Sequence, residues 1–275
     1  MIQGSAPHLA QTDWNKVDAS TDPAAFVAYL DRLEASPMVQ RSRQEFLGGL
    51  PCRPGERVLD AGCGVGGNTR QLRTLVGATG RVLGLDASRQ MLQRAGGLST
   101  AQRIAYGAGD LCYLPLATGS FDGAICDRVL MHLPHPLTAV RELVRVLRPG
   151  GWLGLCEPDW SRMRMEPDGE ISQRVLETHC AGFEQGDIGG RLKDLVEEAG
   201  CQQVASTAQY HAMQNYEKSW SLMNLERTLR RAVETGTLSQ GEVNQWRRQL
   251  EEAARGGRFC MHFARTLCIG WKEQE

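Results

Sequence analysis

The sequence predicts an α/β fold built on a doubly wound, mostly parallel β-sheet. Three observations favour this fold class. Five short apolar segments typical of buried strands alternate with helical patterns between residues 55 and 160. The first segment leads directly into a glycine-rich turn and a helix. Acidic residues lie at or near the carboxyl ends of all five segments, where such sheets bind ligands: Asp60, Asp86, Asp110, Asp127 and Glu157.

The first 54 residues are predicted to form an N-terminal helical cap. Asp22 is suited to cap a helix with Pro23 in its first turn, and apolar residues follow at helical spacing. A second helix is predicted over about 39–50. The prolines Pro51 and Pro54 then end this region and act as a linker to the first strand.

The glycine-rich turn follows a strand that ends in apolar residues. Gly62, Gly64 and Gly67 match the spacing G-x-G-x-x-G, whereas Gly62, Gly64 and Gly66 match G-x-G-x-G. Glycine permits backbone angles that a side chain forbids, and it lets a ligand lie against the main chain. The helix predicted over 69–76 would point free N–H groups at that ligand. The turn alone does not decide which cofactor binds.

The remaining elements follow in an alternating order up to Trp160. Strands are predicted at 81–86, 104–107, 121–127 and 152–156, with an amphipathic helix at 137–147. Beyond Trp160 the pattern becomes mainly helical, with helices predicted over 169–185, 190–199, 216–234 and 239–254. Two late strands, near 204–211 and 259–271, are expected to complete the sheet beneath a helical lid. We therefore divide the chain into 1–54, a cofactor-binding core of 55–160, and 161–275.

Composition narrows the classes of partner. A net charge of −1 gives no electrostatic reason to expect nucleic acid or an anionic membrane surface. No apolar stretch approaches the roughly 20 residues of a membrane span, and no signal pattern opens the chain. The nine cysteines include no Cys-x-x-Cys pair, so we expect neither a disulfide framework nor a zinc site. Free cysteines of this kind favour a cytoplasmic location.

Five pieces of sequence, in family order over roughly residues 55–160, resemble the class I S-adenosylmethionine-dependent methyltransferases. More narrowly, they are similar to the small-molecule methyltransferases of the ubiquinone/menaquinone-biosynthesis type. The pieces are Val58-Leu59-Asp60-Ala61-Gly62-Cys63-Gly64, Gly84-Leu85-Asp86-Ala87-Ser88, Gly109-Asp110, Phe121-Asp122 and Leu147-Arg148-Pro149-Gly150-Gly151. The resemblance implies a seven-stranded Rossmann-like sheet with one antiparallel strand.

The resemblance also implies a role for each matching position. The loop that contains Asp60, Gly62 and Gly64 would lie along the methionine part of S-adenosylmethionine. Asp86 would hold the ribose hydroxyls, with Ala87 against the adenine. The remaining positions implied by the family are Asp110, which would accept from the adenine amino group, Leu111 beside it, and Asp127 at the methionine amino end.

The chemistry of S-adenosylmethionine suits an acidic crevice. This cofactor carries a sulfonium and an ammonium cation and no pyrophosphate, so carboxylates around the loop are tolerated, and those beside hydroxyls form charge-assisted hydrogen bonds. Asp60 would crowd the pyrophosphate of a nicotinamide dinucleotide. An NAD(P)-dependent oxidoreductase is therefore the weaker alternative. A protein of the same fold that uses the cofactor site for cyclisation or regulation is the other alternative.

His132, which follows the fourth strand, is the candidate catalytic residue. It could act as a general base towards the acceptor, or it could pack or cap at the start of a helix. The pair His132 and His135 resembles a metal-binding spacing, but Pro134 breaks the helical register that would aim both rings at one ion. We therefore expect no metal.

Three residues after the fifth strand are candidates for binding the acceptor. Glu157 and Asp159 could orient a hydroxyl or an amine, or they could cap the next helix. Trp160 could cover the sulfonium by a cation–π contact or belong to the core. Arg43 could pair with the carboxylate of the cofactor, but we expect it on a solvated helix face.

The predicted reaction is in-line methyl transfer to a small molecule, either a natural product of secondary metabolism or a quinone-like compound. The sequence leaves open whether the chain forms a homodimer.

Overall fold

The computed structural model describes residues 13–102 and 104–274. Its strands are β1 (Arg57–Ala61), β2 (Arg81–Asp86), β3 (Ala105–Ala108), β4 (Phe121–Asp127), β5 (Leu147–Glu166), β6 (Cys201–Met213) and β7 (Cys260–Lys272). They form one seven-stranded sheet in the order β3-β2-β1-β4-β5-β7-β6. Neighbouring strands from β3 to β5 are parallel, and β7 is antiparallel to both β5 and β6. The predicted mostly parallel, doubly wound sheet is confirmed.

The helices are α1 (Pro23–Glu34), α2 (Pro37–Gly48), α3 (Gly67–Leu75), α4 (Arg89–Leu98), α5 (Pro136–Val146), α6 (Glu170–Cys180), α7 (Ile188–Glu198), α8 (Tyr216–Leu222), α9 (Leu225–Glu234) and α10 (Gln240–Arg255). Two 3-10 segments, Asp13–Ala19 and Leu130–His132, complete the regular structure of the described residues. Within that part of the chain, no helix combines the length and the apolar character that a membrane span requires.

Alternation along the strands produces a core on each face of the sheet. On β1, Val58 packs on the face that α2 and α3 cover, whereas Leu59 packs on the face covered by α5 and α7. On β4, Ile125 and Cys126 divide in the same way. Successive side chains of a strand point to opposite faces, and both faces are covered, so the runs are apolar throughout. The site lies at the strand ends that these two cores fix in place.

The N-terminal cap begins as the sequence predicts. The backbone N–H of Ala25 donates to the Asp22 carboxylate over 3.1 Å, and Pro23 opens α1. The cap lies against the lid, because the Tyr29 hydroxyl donates to the carbonyl oxygen of Leu222 at the end of α8, over 3.0 Å.

The lid differs from the prediction at one helix. The single helix expected over 216–234 is divided into α8 and α9, because Asn224 adopts a left-handed conformation with φ of 49°. Asparagine enters this region more readily than most residues. The lid helices share a hydrophobic core with the extended ends of β5 and β7, in which Trp246 is fully buried. The division of the chain at residues 54 and 160 stays a prediction.

Candidate active site

A cavity of about 590 Å³ lies at the carboxyl ends of β1, β2 and β4. Nine of the twelve residues predicted for the site line it: Gly62, Gly64, Asp86, Ala87, Asp110, Leu111, Asp127, His132 and Trp160. The other three, Asp60, Glu157 and Asp159, are buried elsewhere. We call the part bounded by Gly62, Gly64, Asp86, Asp110 and Asp127 the cofactor half of the cavity.

The glycine turn approaches its neighbours too closely for a side chain. Gly62 has a φ of 75°, and a Cβ atom there would lie 2.3 Å from Cγ2 of Val129. The backbone N–H groups of Gly62 and Cys63 both donate to the carbonyl oxygen of Leu85, over 2.7 and 3.0 Å. Only glycine fits this position, both in space and in backbone conformation.

Asp86 ends β2 and holds the turn directly. Its Oδ2 accepts from the backbone N–H of Gly64 over 2.8 Å, and its Oδ1 accepts from that of Ser88 over 2.9 Å. Burial raises the pKa of Asp86, and these backbone hydrogen bonds oppose the rise. Ala87 is exposed beside it on the cavity lining. Each carboxylate oxygen can accept a further bond, so Asp86 can also accept from ligand hydroxyls.

Asp110 and Leu111 lie at the outer edge of the cavity after β3. Asp110 is exposed, and its Oδ1 accepts from the backbone N–H of Cys112 over 2.8 Å. Leu111 is buried and offers an apolar surface next to it. An apolar side chain beside a carboxylate suits a flat heterocycle that carries an amino group.

Asp127 ends β4 and has one unused oxygen. Its Oδ2 accepts from Nδ2 of Asn68 over 3.1 Å, and the Arg128 guanidinium lies 3.6 Å from the same oxygen. Its Oδ1 is buried and has no partner within the described residues. Burial opposes ionisation, but Arg128, Arg265 and the Asn68 amide outweigh it and lower the pKa of Asp127. A buried anion with a free oxygen is a suitable binding site for an ammonium group.

Arg43 supports Asp127, and its expected position on a solvated helix face is wrong. Arg43 is buried, its Nε donates to Oδ1 of Asn68 over 2.7 Å, and its Nη2 pairs with Glu34. Hydrogen bonds and an ion pair therefore connect Glu34, Arg43, Asn68 and Asp127 in series. A network of this kind fixes the position of the Asp127 carboxylate. The sequence offers Arg43 only as a possible partner of the cofactor carboxylate and does not indicate Asn68. The local signal for Arg43 is its helix face, which it shares with the buried residues Val39, Phe46 and Leu47.

Asp60 lies beneath the turn rather than on the cavity wall. It is buried, and the hydroxyl of Thr69 donates to its Oδ2 over 2.5 Å. Burial raises the pKa of Asp60 to about 7. The contact joins the end of β1 to α3, so in the structure Asp60 supports the turn.

Glu157 and Asp159 also lie away from the cavity wall. Glu157 is fully buried, and its Oε1 accepts from the backbone N–H groups of Val129 and Leu130, each over 2.7 Å. Burial raises the pKa of Glu157 to about 8. Glu157 thus caps the 3-10 turn that carries His132. Asp159 is buried in a pair with Arg162, with its Oδ2 3.1 Å from the Arg162 Nε.

Aromatic side chains cover the opposite side of the cavity. His132 is buried between Trp14 and Phe183, with both pairs of ring centroids 5.7 Å apart. Trp160 stacks on Phe183 at 5.4 Å and meets the ring of His179 at a right angle, with centroids 5.2 Å apart. We call the group Trp14, His132, Trp160, His179, Phe183 and Phe263 the aromatic wall; all six line the cavity.

The loop between α6 and α7 positions the centre of this wall. The backbone N–H of Gln185 donates to the carbonyl oxygen of Met131 over 3.0 Å, and that of Trp160 donates to Gly186 over 2.8 Å. The loop is thereby joined both to the turn that carries His132 and to β5. Trp160 and Phe183 are therefore held close to the cofactor half.

Fold and site together define an α/β protein whose cavity, at the carboxyl ends of the strands, suits a cationic, adenosine-containing cofactor. A family model described as "Methyltransferase domain" matches residues 59–155. The chain is 34% identical over 224 residues to an uncharacterised protein of transposon TN4556 from Streptomyces fradiae, covering 80% of this chain and 65% of that protein.

Two further proteins carry names that state an activity. A 2-phytyl-1,4-naphtoquinone methyltransferase from Synechococcus elongatus is 39% identical over 102 residues, covering 36% of this chain and 44% of its own length. The structure of phosphoethanolamine N-methyltransferase 2 from Haemonchus contortus, in complex with S-adenosyl-L-methionine, superposes with a TM-score of 0.59 at 18% identity. That superposition covers 97% of this chain and 60% of the other.

Residues 59–155 belong to this methyltransferase domain family, and the described residues share their fold with an S-adenosylmethionine-binding methyltransferase. The unpaired oxygen of Asp127 and the absence of a side chain at Gly62 fit S-adenosylmethionine as the cofactor. The chain spans less than two thirds of the length of the two curated relatives named above.

Proposed function

We propose that the chain transfers a methyl group from S-adenosylmethionine to a small, flat, largely apolar acceptor that lies against the aromatic wall. The observation that carries this proposal is a single cavity that joins two unlike surfaces. One surface has a buried carboxylate with an unused oxygen, at Asp127, and the other is aromatic around Trp160. Quinone-like compounds and cyclic natural products have the shape and polarity that the second surface accepts.

In this proposal the residues of the cofactor half bind and orient. Asp127 pairs with the methionine ammonium group, Asp86 accepts from the ribose hydroxyls while it holds Gly64, and Asp110 with Leu111 takes the adenine. When bound, S-adenosylmethionine supplies a methyl group on a positively charged sulfur. The positive charge would move from the sulfur to the acceptor, which would release it as a proton, so a dry cavity with a fixed geometry favours the reaction.

His132 is proposed as the residue that takes up a proton from a hydroxyl acceptor. It is buried on the cavity lining between two aromatic rings, and it lies on the turn that Glu157 caps. A general base is needed for a hydroxyl nucleophile and less for a carbon or an amine. His132→Ala that retained full turnover with unchanged cofactor affinity would remove His132 from this role.

Cofactor binding is tested by calorimetric titration of S-adenosylmethionine, NAD(H) and NADP(H) into the wild type, Asp86→Asn and Asp86→Ala. The Asn variant retains one oxygen for the N–H of Gly64, whereas the Ala variant loses both acceptors. We expect only the sulfonium cofactor to bind, with affinity falling from wild type to Asn to Ala by ~1–3 kcal/mol overall. Asp122→Ala, at the opposite end of β4, is the matched control.

Transfer is tested with S-adenosylmethionine labelled in the methyl group and a panel of hydroxylated and quinone-like acceptors. Label that moves into an extractable product supports methyl transfer. Tight cofactor binding without a labelled product from any acceptor would favour a non-methylating protein of the same fold. Binding of a nicotinamide cofactor alone would overturn the proposal.

We also propose that the chain works in the cytoplasm. All nine cysteines are free, and several are buried, such as Cys126 and Cys156. Unpaired thiols are typical of a reducing compartment. Fractionation of cells that express the tagged chain tests this location.

A further inference from the structure

Two nitrogen atoms in the aromatic wall have no hydrogen-bonding partner in the described part of the chain. They are Nε1 of Trp160 and Nε2 of His179, and both are shielded from water. Buried polar atoms are nearly always paired in folded proteins, so an unpaired one needs an explanation. Two of them on adjacent rings of one cavity indicate a ligand that supplies the missing partner.

The His179 ring is fixed and uncharged. His179 is 2% exposed, and its Nδ1 lies 3.0 Å from the hydroxyl oxygen of Thr228 on α9. Burial and the nearby Arg227 lower the pKa of His179 to about 4, so the ring is neutral at pH 7. The contact with Thr228 holds the orientation of the ring and leaves Nε2 for a ligand.

The chemistry of the two nitrogens selects one substituent. The indole N–H of Trp160 can only donate, so its partner must have an oxygen or nitrogen that accepts. Nε2 of His179 accepts when Nδ1 carries the proton and donates when it does not. A hydroxyl group satisfies both cases, because it accepts from Trp160 and can either donate to Nε2 or accept from it. A carbonyl or a carboxylate satisfies only one case, because neither can donate to Nε2.

The neighbouring rings describe the rest of the ligand. Trp160 stacks on Phe183 with an angle of 21° between the ring planes. The ring centroids of Trp160 and Phe263 are 6.0 Å apart. These faces favour a flat aromatic ring by offset stacking or edge-to-face contact. We propose that Trp160 and His179 bind a hydroxyl group on an aromatic acceptor and so set its orientation in the cavity. This inference rests on the proposed function, in which the acceptor lies against the aromatic wall.

Equilibrium dialysis of 2-naphthol and 2-methylnaphthalene against the protein loaded with S-adenosylhomocysteine tests the inference. The two probes have the same ring system and differ by a hydroxyl against a methyl group. We expect the wild type to bind 2-naphthol more tightly than 2-methylnaphthalene. The variant Trp160→Phe retains a ring but lacks the N–H, and its preference for 2-naphthol should be about 5- to 10-fold smaller. Binding of 2-methylnaphthalene to this variant should change less than 2-fold.

His179 is tested with the double variant His179→Phe/Thr228→Val, which removes both members of their contact and leaves no unpaired hydroxyl. We expect the same loss of preference for 2-naphthol. Trp246→Phe is the matched control, because the Trp246 indole N–H donates to Oγ of Ser172 over 2.9 Å in the lid core and does not line the cavity. This variant should retain the wild-type preference for 2-naphthol. A loss of preference in Trp160→Phe would then be due to the missing N–H in the aromatic wall and not to a weakened lid.

Three outcomes would overturn the inference: equal affinity of the wild type for both probes, no binding of either probe, or tighter binding of 2-naphthoate than of 2-naphthol. Probe binding is measured without turnover. A protein that binds 2-naphthol selectively but never transfers a methyl group would therefore contradict the proposed function and leave the assignment of Trp160 and His179 intact. A protein that methylates an acceptor but shows no selectivity between the probes would do the reverse.

Discussion

The cofactor half of the cavity and the aromatic wall are held in place by different kinds of contact. In the cofactor half, backbone groups of a turn are bound by carboxylates at strand ends, as Gly64 is bound by Asp86. In the aromatic wall, side chains from separate segments pack face to edge, as Trp160 does against His179. Backbone contacts at strand ends tolerate little change, whereas packed rings can be exchanged for others of similar volume. The first region suits a constant cofactor, and the second suits an acceptor that differs among relatives.

The largest effect is expected at Gly62. Gly62→Ala places a Cβ atom 2.3 Å from Val129 in a backbone conformation with positive φ. Strain and overpacking together should lower the free energy of unfolding by about 2–5 kcal/mol. Displacement of the turn should weaken S-adenosylmethionine binding by roughly 30-fold or more. Urea unfolding and calorimetry measure the two effects.

Gly236→Ala is the control for this prediction. Gly236 also has a positive φ, of 70°, but a Cβ atom there meets nothing within 4 Å. We expect a loss of about 1–2 kcal/mol from the backbone alone, with cofactor affinity unchanged. Equal effects of the two substitutions on cofactor affinity would contradict the assignment of the turn to the cofactor half.

The next effect concerns Glu157, which joins the two regions by capping the turn of His132. Its pKa is raised to about 8 in the folded chain, against an ordinary value of 4.5. As pH rises from 4.5 to 8, the unfolded chain loses this proton first, so stability falls through that window. Glu157→Gln retains an oxygen for the two N–H groups but has no proton to lose. Its stability relative to wild type should rise by on the order of 3 kcal/mol between pH 5 and 9.

Urea unfolding of both proteins at pH 5, 7 and 9 measures this difference. Other titrating groups affect both proteins alike, so only the difference between them reports on Glu157. A difference that stays constant over the three pH values would show that Glu157 is ionised in the folded chain throughout.

A smaller effect is expected at Asp127 and is confined to the cofactor half. Asp127→Asn removes the negative charge but retains the shape, so S-adenosylmethionine affinity should fall about 10- to 100-fold, or ~1.5–3 kcal/mol. Dialysis of 2-naphthol should give an unchanged affinity. Asp122→Asn, on the same strand but paired with Arg148 at the far end of the sheet, should affect neither. Loss of naphthol binding in Asp127→Asn would show that the two halves cannot be separated.

Sequence predicts the cofactor half well because its residues follow their strands immediately. Asp86 and Asp127 are the last residues of β2 and β4, and both line the cavity. Asp60 and Glu157 belong to the same pattern but lie inside their strands, since β1 continues to Ala61 and β5 to Glu166. Side chains alternate along a strand, so an acid that lies one residue before the strand end, as Asp60 does, can point to the core, and Glu157 lies nine residues before the end of β5.

The aromatic wall could not be predicted in the same way. Its members come from positions as distant as Trp14, Phe183 and Phe263, and no local period connects them. Of its six members only His132 and Trp160 are predicted for the site, because they closely follow the fourth and the fifth strand. The division of the lid at Asn224 was missed for a related reason, since neither glycine nor proline interrupts the helical pattern there. Structure that depends on the meeting of distant segments leaves little trace in a single sequence.

The smallest effect is expected where the cap meets the lid, at Tyr29. Tyr29→Phe removes the hydrogen bond to the carbonyl oxygen of Leu222 and leaves the ring in place. A bond of this type contributes about 1 kcal/mol, and the carbonyl is one that the end of α8 cannot satisfy within the helix. The amide hydrogens of α8 should therefore exchange about 5-fold faster, whereas those of α3 beside the glycine turn should not change. Tyr210→Phe, on an exposed tyrosine of β6, is the control. Faster exchange in both α8 and α3 would show that the lid and the cofactor half open as one unit. The cofactor half and the aromatic wall would then differ in the contacts that hold them but not in their motions.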